Sequence, residues 1–217
     1  IPSVIHIAAL TRIDGRLIPA LESLKLALAA KSNEFKDIRK LGRTHLQDAV
    51  PLTLGQEFSG FASQVEHGLN HIASVSGCLR ELPMGGTAIG TGLNTHPEFG
   101  KRMAAKLTEM TKAMFIEAIN HFEAQSARDA TVRVSGALKA MATVLMKIAD
   151  DIRWLGSGPR LGLGELKLPS VQPGSSIMPG KTNPVIAESL IQASAQVLGN
   201  DAAIAVAGFY SNFQLNT

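Results

Sequence analysis

From Thr53 onward, apolar residues recur at intervals of three and four: Phe58, Phe61, Val65, Leu69 and Ile72, continued by Leu79 and Leu82. An α-helix turns once in about 3.6 residues, so this spacing lays one apolar stripe along a helix. Thr53 with Gln56 three residues on has the pattern of a capping box, which puts the helix start there. Pro83 and the Gly85-Gly86 pair predict its end. At about 1.5 Å per residue such a helix would be roughly 45 Å long.

A second stripe, from Val132 and Val134 through Leu138, Met141, Leu145, Ile148 and Ile152 to Leu155, predicts a helix over about Phe122 to Leu155. Gly156, Gly158 and Pro159 close it. A third long helix is expected from Pro184 to about Gly208. The opening segment to about Phe35 reads as another, interrupted near Gly15, with Pro2 suited to its first turn. A short helix follows Pro97. Strand signals are sparse, and neither a repeat nor a linker divides the chain. The expected fold is therefore all-α, a bundle of long helices. So few long helices leave apolar flanks uncovered in a monomer, which predicts self-association. A four- or five-helix bundle complete in itself is the alternative.

Composition narrows the function classes. Over 217 residues, 45% are hydrophobic, enough for one domain with a sizeable core. No run of apolar residues is long enough to span a membrane, and no basic-then-apolar leader is present. The net charge is only +3 and the basic residues are scattered without interleaved aromatics, which argues against a nucleic-acid partner. Cys78 is the lone cysteine and cannot make an internal disulfide, so a reducing, cytoplasmic setting is expected, or a mitochondrial one in a eukaryote. The chain starts at Ile1 without a methionine and reads as a piece of a longer protein. His67 and His71 share a helix face but sit on the polar side and lack the neighbouring glutamate of a zinc protease helix; they read as solvated, not as metal ligands.

The richest stretch for chemistry is Gly174-Ser175-Ser176-Ile177-Met178-Pro179-Gly180-Lys181-Thr182-Asn183-Pro184. Two hydroxyls, a lysine and an asparagine lead straight into a helix, with Asn183 fitting the N-cap and Pro184 the first helical position. The free amides and positive dipole end of that helix attract anions, and Lys181 adds a full charge. A second stretch, Gly42-Arg43-Thr44-His45-Leu46-Gln47-Asp48-Ala49-Val50-Pro51-Leu52-Thr53-Leu54-Gly55-Gln56-Glu57, places a threonine beside a histidine, the side chain best suited to proton transfer near neutrality. A third, Gly85-Gly86-Thr87-Ala88-Ile89-Gly90-Thr91-Gly92-Leu93-Asn94-Thr95, is glycine-rich without the strand and helix of a nucleotide fingerprint, and reads as a close-packing loop bordering the site.

The first stretch resembles the shared loop of the fumarase/aspartase superfamily, GSSxMPxKxNP, at every fixed position. Thr44-His45 follows the class II fumarase pattern, where aspartases typically carry Thr-Gln, and Gly180 stands where aspartases tend to have alanine. The resemblance covers essentially the whole chain and implies the central helical portion, residues 1–217, of a fumarate hydratase whose N-terminal and C-terminal domains are absent. It implies a homotetramer with a 20-helix core, each site drawing segments from three subunits, and a small dicarboxylate substrate, fumarate or malate. It implies Ser175 as the base, and His45 for proton transfer to and from water, assisted by Glu188. Thr44, Ser176, Lys181, Thr182 and Asn183 form the implied substrate-binding set. No metal or cofactor is implied. Aspartate ammonia-lyase and a non-catalytic helical assembly module are the alternatives.

Overall fold

The computed structural model describes residues 1–174 and 176–216. Its helices are α1 (Pro2–Arg12), α2 (Ile18–Glu34), α3 (Leu54–Ser76), α4 (Phe99–Thr111), α5 (His121–Ser126), α6 (Asp129–Leu155) and α7 (Val185–Phe209). The all-α, long-helix architecture expected from the apolar stripes is what forms. The break expected near Gly15 is a π-helical turn over Ile13–Leu17, which passes α1 into α2 without a loop.

The stripe on α3 faces the core. Phe61, Val65 and Ile72 are fully buried there, together with Leu10 of α1, and Phe58 packs edge-on against Phe35 and Phe61 at 5.3 and 5.5 Å between ring centres. α3 packs against both α2 and α6, and α6 in turn carries α7. At its start the capping box is complete: the Thr53 hydroxyl accepts from the Gln56 amide, and the Gln56 side chain accepts from the Thr53 amide.

Two boundaries differ from the sequence reading. The helix expected to reach Leu82 ends at Ser76, followed by a 3₁₀ turn (Gly77–Arg80) and β3 (Glu81–Leu82). The seven-residue gap between Ile72 and Leu79 marks the change: the tighter turn still delivers Leu79 and Leu82 to the core. β3 then pairs in parallel with β4 (Ile116–Glu117). The helix expected from Phe122 to Leu155 is broken at Ala127-Arg128 into α5 and α6. Arg128 causes the break to hold. Its buried guanidinium donates to the carbonyls of Ala124 and Gln125 at 2.7 and 2.8 Å, capping α5 from within the chain. At the other end the Asn120 side chain accepts from the Phe122 and Glu123 amides.

Sparse strand signals concealed an antiparallel hairpin, β1 (Arg39–Thr44) and β2 (Gln47–Thr53), joined by His45 and Leu46. Gly42 and Pro51 interrupt its pattern, and both are tolerated because a two-stranded ribbon has only edges.

α7 is the most apolar of the long helices, yet its buried residues are Ser194 and Asp201. Asp201 accepts from Ser135 at 2.8 Å and pairs with Lys139 at 2.6 Å, fastening α7 to α6 through polar groups. Ile186, Val206 and Phe209 stay exposed, so the apolar surface of α7 faces outward in the single chain.

His6 supplies a pH-dependent element of the fold. It is buried on α1, and its Nδ1–H donates to the Glu81 carbonyl at 2.9 Å. Burial pushes its pKa below the ordinary imidazole value; the hydrogen bond to Glu81 opposes this, and nearby Arg128 adds to it. With the folded value below the unfolded one, the unfolded chain takes the proton first as pH falls. Stability from a neutral His6 is therefore present above the ordinary value and is lost on acidification. Melting temperature should fall as pH drops below the ordinary imidazole value of about 6.5, and His6→Asn should flatten that slope; an unchanged slope would count against it.

Candidate active site

The two chemistry-bearing motifs occupy quite different supports. Thr44 is the last residue of β1, and His45 with Leu46 forms the two-residue connection to Gln47. Both connection residues have positive φ, 55° and 61°, as a type I′ hairpin turn requires. That backbone suits Asn-Gly, not His-Leu. Holding side-chain-bearing residues there costs on the order of 1 kcal/mol or more each, and such outliers gather at functional positions. The strain puts His45 at the very tip of the ribbon, out in solvent.

Below the tip the ribbon is irregular. The register slips between Leu41 and Arg43, a bulge at Gly42, where a Cβ would come to 3.2 Å from the Val50 carbonyl oxygen. In a regular strand Lys40 and Arg43, three apart, would point to opposite faces. The bulge turns them to one carboxylate. Lys40 Nζ lies 2.6 Å from Glu57 and 2.5 Å from Glu165, and Arg43 Nη2 donates to Glu165 Oε1 at 2.7 Å. Arg43 also faces Asp48 across the ribbon at 3.6 Å. The Lys40 side chain is only 8% exposed. Burial works against the charge on Glu165, but hydrogen bonds from Arg43 and Lys40 outweigh it and hold the carboxyl below the ordinary glutamate range.

The serine-bearing loop lies between α6 and α7. Ser175 lies outside the described residues. Ser176, Lys181, Thr182 and Asn183 are exposed, and the Lys181 amide closes a turn on the Met178 carbonyl at 3.1 Å, with Gly180 at φ 81°. The expected cap is displaced by one residue. Pro184, not Asn183, is the N-cap, and no side chain caps α7. The Val185 amide bonds back to the Asn183 carbonyl and the Glu188 amide to Pro184, so the first helical turn closes one position late. The amides of the intervening residues are left for an incoming anion. Glu188 sits in that first turn, where the helix dipole favours its charge.

Within the single chain these groups are poised but not joined. Among the described residues, the side chains of Thr44, His45, Lys181, Asn183 and Glu188 take neither hydrogen bond nor ion pair, so His45 and Glu188 are not partners here. The glycine-rich loop over 85–95 wraps the start of α5: Gln125 donates to the Thr87 carbonyl at 3.0 Å, and a Cβ on Gly86 would sit 2.0 Å from Gln125 Oε1. That is the close packing expected of it. His67 and His71 are exposed, and no cluster of metal-ligating side chains occurs among the described residues. A cavity of about 260 Å³ lies under the start of α7, walled by Leu28, Ile148, Ile152, Leu168 and Leu190. Asn183 also lines it, and none of its lining side chains is charged.

A lyase family model matches residues 1–199 of this chain. The chain belongs to the lyase family. Within that family it is 56% identical over 216 residues to a class II fumarate hydratase of Nitrosomonas europaea, covering 100% of this chain and 47% of that protein. It is 57% identical over 215 residues to mitochondrial fumarate hydratase 1 of Arabidopsis thaliana, covering 99% of this chain and 44% of that one. Among solved structures, the class II fumarase of Schistosoma mansoni superposes with a TM-score of 0.95 at 36% identity, over 99% of this chain and 48% of that one. A fumarate lyase/delta-crystallin structure from Brucella melitensis gives 0.88 at 42% identity, over 99% and 48%. This lyase chain thus spans about half the length of the curated relatives it matches. The class II fumarase resemblance read from the motifs is borne out.

The sequence reading missed the Lys40–Glu57–Glu165–Arg43 cluster. Arg43 and Glu57 stood inside the quoted motif without a role, and Glu165 is the one acidic residue in the glycine-rich run 156–184. That isolation was the available signal.

Proposed function

We propose that this lyase chain is the central helical portion, residues 1–217, of a fumarate hydratase that adds water reversibly to fumarate, giving (S)-malate. The observation that carries it is local: a Thr44-His45 pair on a strained hairpin tip, together with a lysine-bearing loop that opens onto an uncapped helix. The names of the relatives support the same substrate.

Removing a proton next to a carboxylate builds a second negative charge on one small group. In this scheme Lys181, Asn183 and the open amides of α7 take such charge, which is where electrostatic stabilisation has its greatest effect. Ser175 accepts the C3 proton of malate in this scheme. A serine hydroxyl is a weak base at its free pKa and needs those electropositive surroundings. His45 handles the water, with Glu188 orienting it, while Thr44, Ser176 and Thr182 complete the grip on the carboxylates. No cofactor enters the proposal.

Since His45 and Glu188 do not meet within one chain, the proposal includes a homotetramer with a 20-helix core and sites shared between subunits. The outward apolar surface of α7 supports it. A cytoplasmic or mitochondrial setting fits, and no helix among the described residues is long and apolar enough to cross a membrane. The test is to add malate to the full-length protein and follow the ultraviolet absorbance of fumarate, with aspartate in a parallel cuvette. Absorbance with malate alone is the expected result. Ammonia from aspartate without turnover of malate would sink the proposal.

A further inference from the structure

The geometry points to Glu165 as a positioning residue for this reaction: it locks the hairpin that presents Thr44 and His45 to the segment that carries the carboxylate-gripping loop. This rests on the hydratase reading above, in which the sites are shared between subunits, so what Glu165 fixes is the direction in which the hairpin presents Thr44 and His45.

Glu165 joins parts of the chain far apart in sequence, bonding to Arg43 across a separation of 122 residues. Its own backbone is anchored. The Leu166 amide donates to the Leu155 carbonyl at the end of α6 at 3.0 Å, and the Gly164 amide to Ser157 at 2.9 Å. Leu166 packs against the core, so the carboxylate projects from a fixed base. Onward from that base the same segment runs to Gly174 and the motif loop.

On the hairpin side, Arg43 immediately precedes Thr44 and the two residues of positive φ. Lys40, three positions earlier, is held between Glu165 and Glu57 of α3. A two-residue ribbon tip has no core of its own to fix its direction. Here one carboxylate, gripped by two cations brought to one face by the bulge at Gly42, fixes it against α6. Near-attack geometry tolerates little error, and a displacement of about 1 Å at a reacting group can cost roughly a hundredfold in rate. Glu165 touches no reacting atom in this scheme. It acts through the hairpin.

The experiment uses the full-length protein and malate dehydration. Glu165→Gln keeps the shape and removes the charge that both cations grip. The expected result is a fall in kcat of roughly ten- to a hundredfold, with a smaller rise in the KM for malate, since Thr44 rides on the same hairpin while the loop over 176–183 keeps its own support. Glu165→Asp, which retains the charge, recovers part of the loss. His45→Asn, run alongside, reports on the reaction itself. If His45→Asn is crippled while Glu165→Gln keeps kcat within twofold, the inference is overturned and the hydratase reading stands. If His45→Asn turns over malate normally, that reading itself has failed. A fall in kcat for Glu165→Gln matched by a collapse of the melting temperature, with no recovery in Glu165→Asp, would also overturn it by making Glu165 a support of the fold alone.

Discussion

Replacing Ser175 by alanine in the full-length protein should lower kcat for malate dehydration by about a hundred- to ten-thousandfold, the usual contribution of a positioned proton acceptor. The KM for malate should move little, because the proposed grip on the carboxylates rests with Lys181, Asn183, Thr44 and the amides at the start of α7. That division matters. A residue that only binds substrate raises KM, whereas one that acts on the departing proton lowers kcat. Hydroxyl chemistry also predicts that Ser176→Ala raises KM more than it lowers kcat, since Ser176 is assigned to binding. Initial rates over a range of malate concentrations, followed at the fumarate absorbance, separate the two. Turnover by Ser175→Ala within tenfold of the parent would remove it from the base role.

The largest effect on stability is expected at Phe61. This ring is 2% exposed on the inner stripe of α3, packs edge-on against Phe58 at 5.5 Å, and carries the Lys147 ammonium 5.0 Å from its centre. Phe61→Ala leaves a cavity that the α2, α3 and α6 packing cannot close without shifting whole helices. The cost is about 3–5 kcal/mol, which lowers the melting temperature by roughly 10 °C. Phe61→Leu, which refills most of the space, should recover more than half of that loss. Differential scanning of the three proteins side by side checks the order; equal melting temperatures would show that the stripe does not bear on the core as described.

Much of this was open to a reader of the sequence. The α3 stripe from Phe58 to Ile72 and the α6 stripe from Val134 to Leu155 told which faces turn inward, because helix burial follows a fixed angular step. The capping box at Thr53 marked its helix start to the residue. Where periodicity was a poor guide, the controlling groups were distant or bonded to the backbone. Leu79 and Leu82 kept the rhythm of α3 while the backbone left the α-helix, since burial alone does not distinguish a 3₁₀ turn from a continuing helix. Arg128 split the expected helix through bonds to carbonyls, which no side-chain pattern displays. Pro184 displaced the cap because the Val185 amide found Asn183 first.

Taken alone, the sequence determined the helical class, the inward faces and the motif residues of the candidate site, because each depends on the order and kind of neighbouring side chains. Tertiary structure decided the rest. The hairpin turned His45 outward on a strained turn, and a bulge at Gly42 brought Lys40 and Arg43 onto one carboxylate from beyond α6. Such meetings depend on where distant backbone segments pass each other, and local spacing carries no record of that.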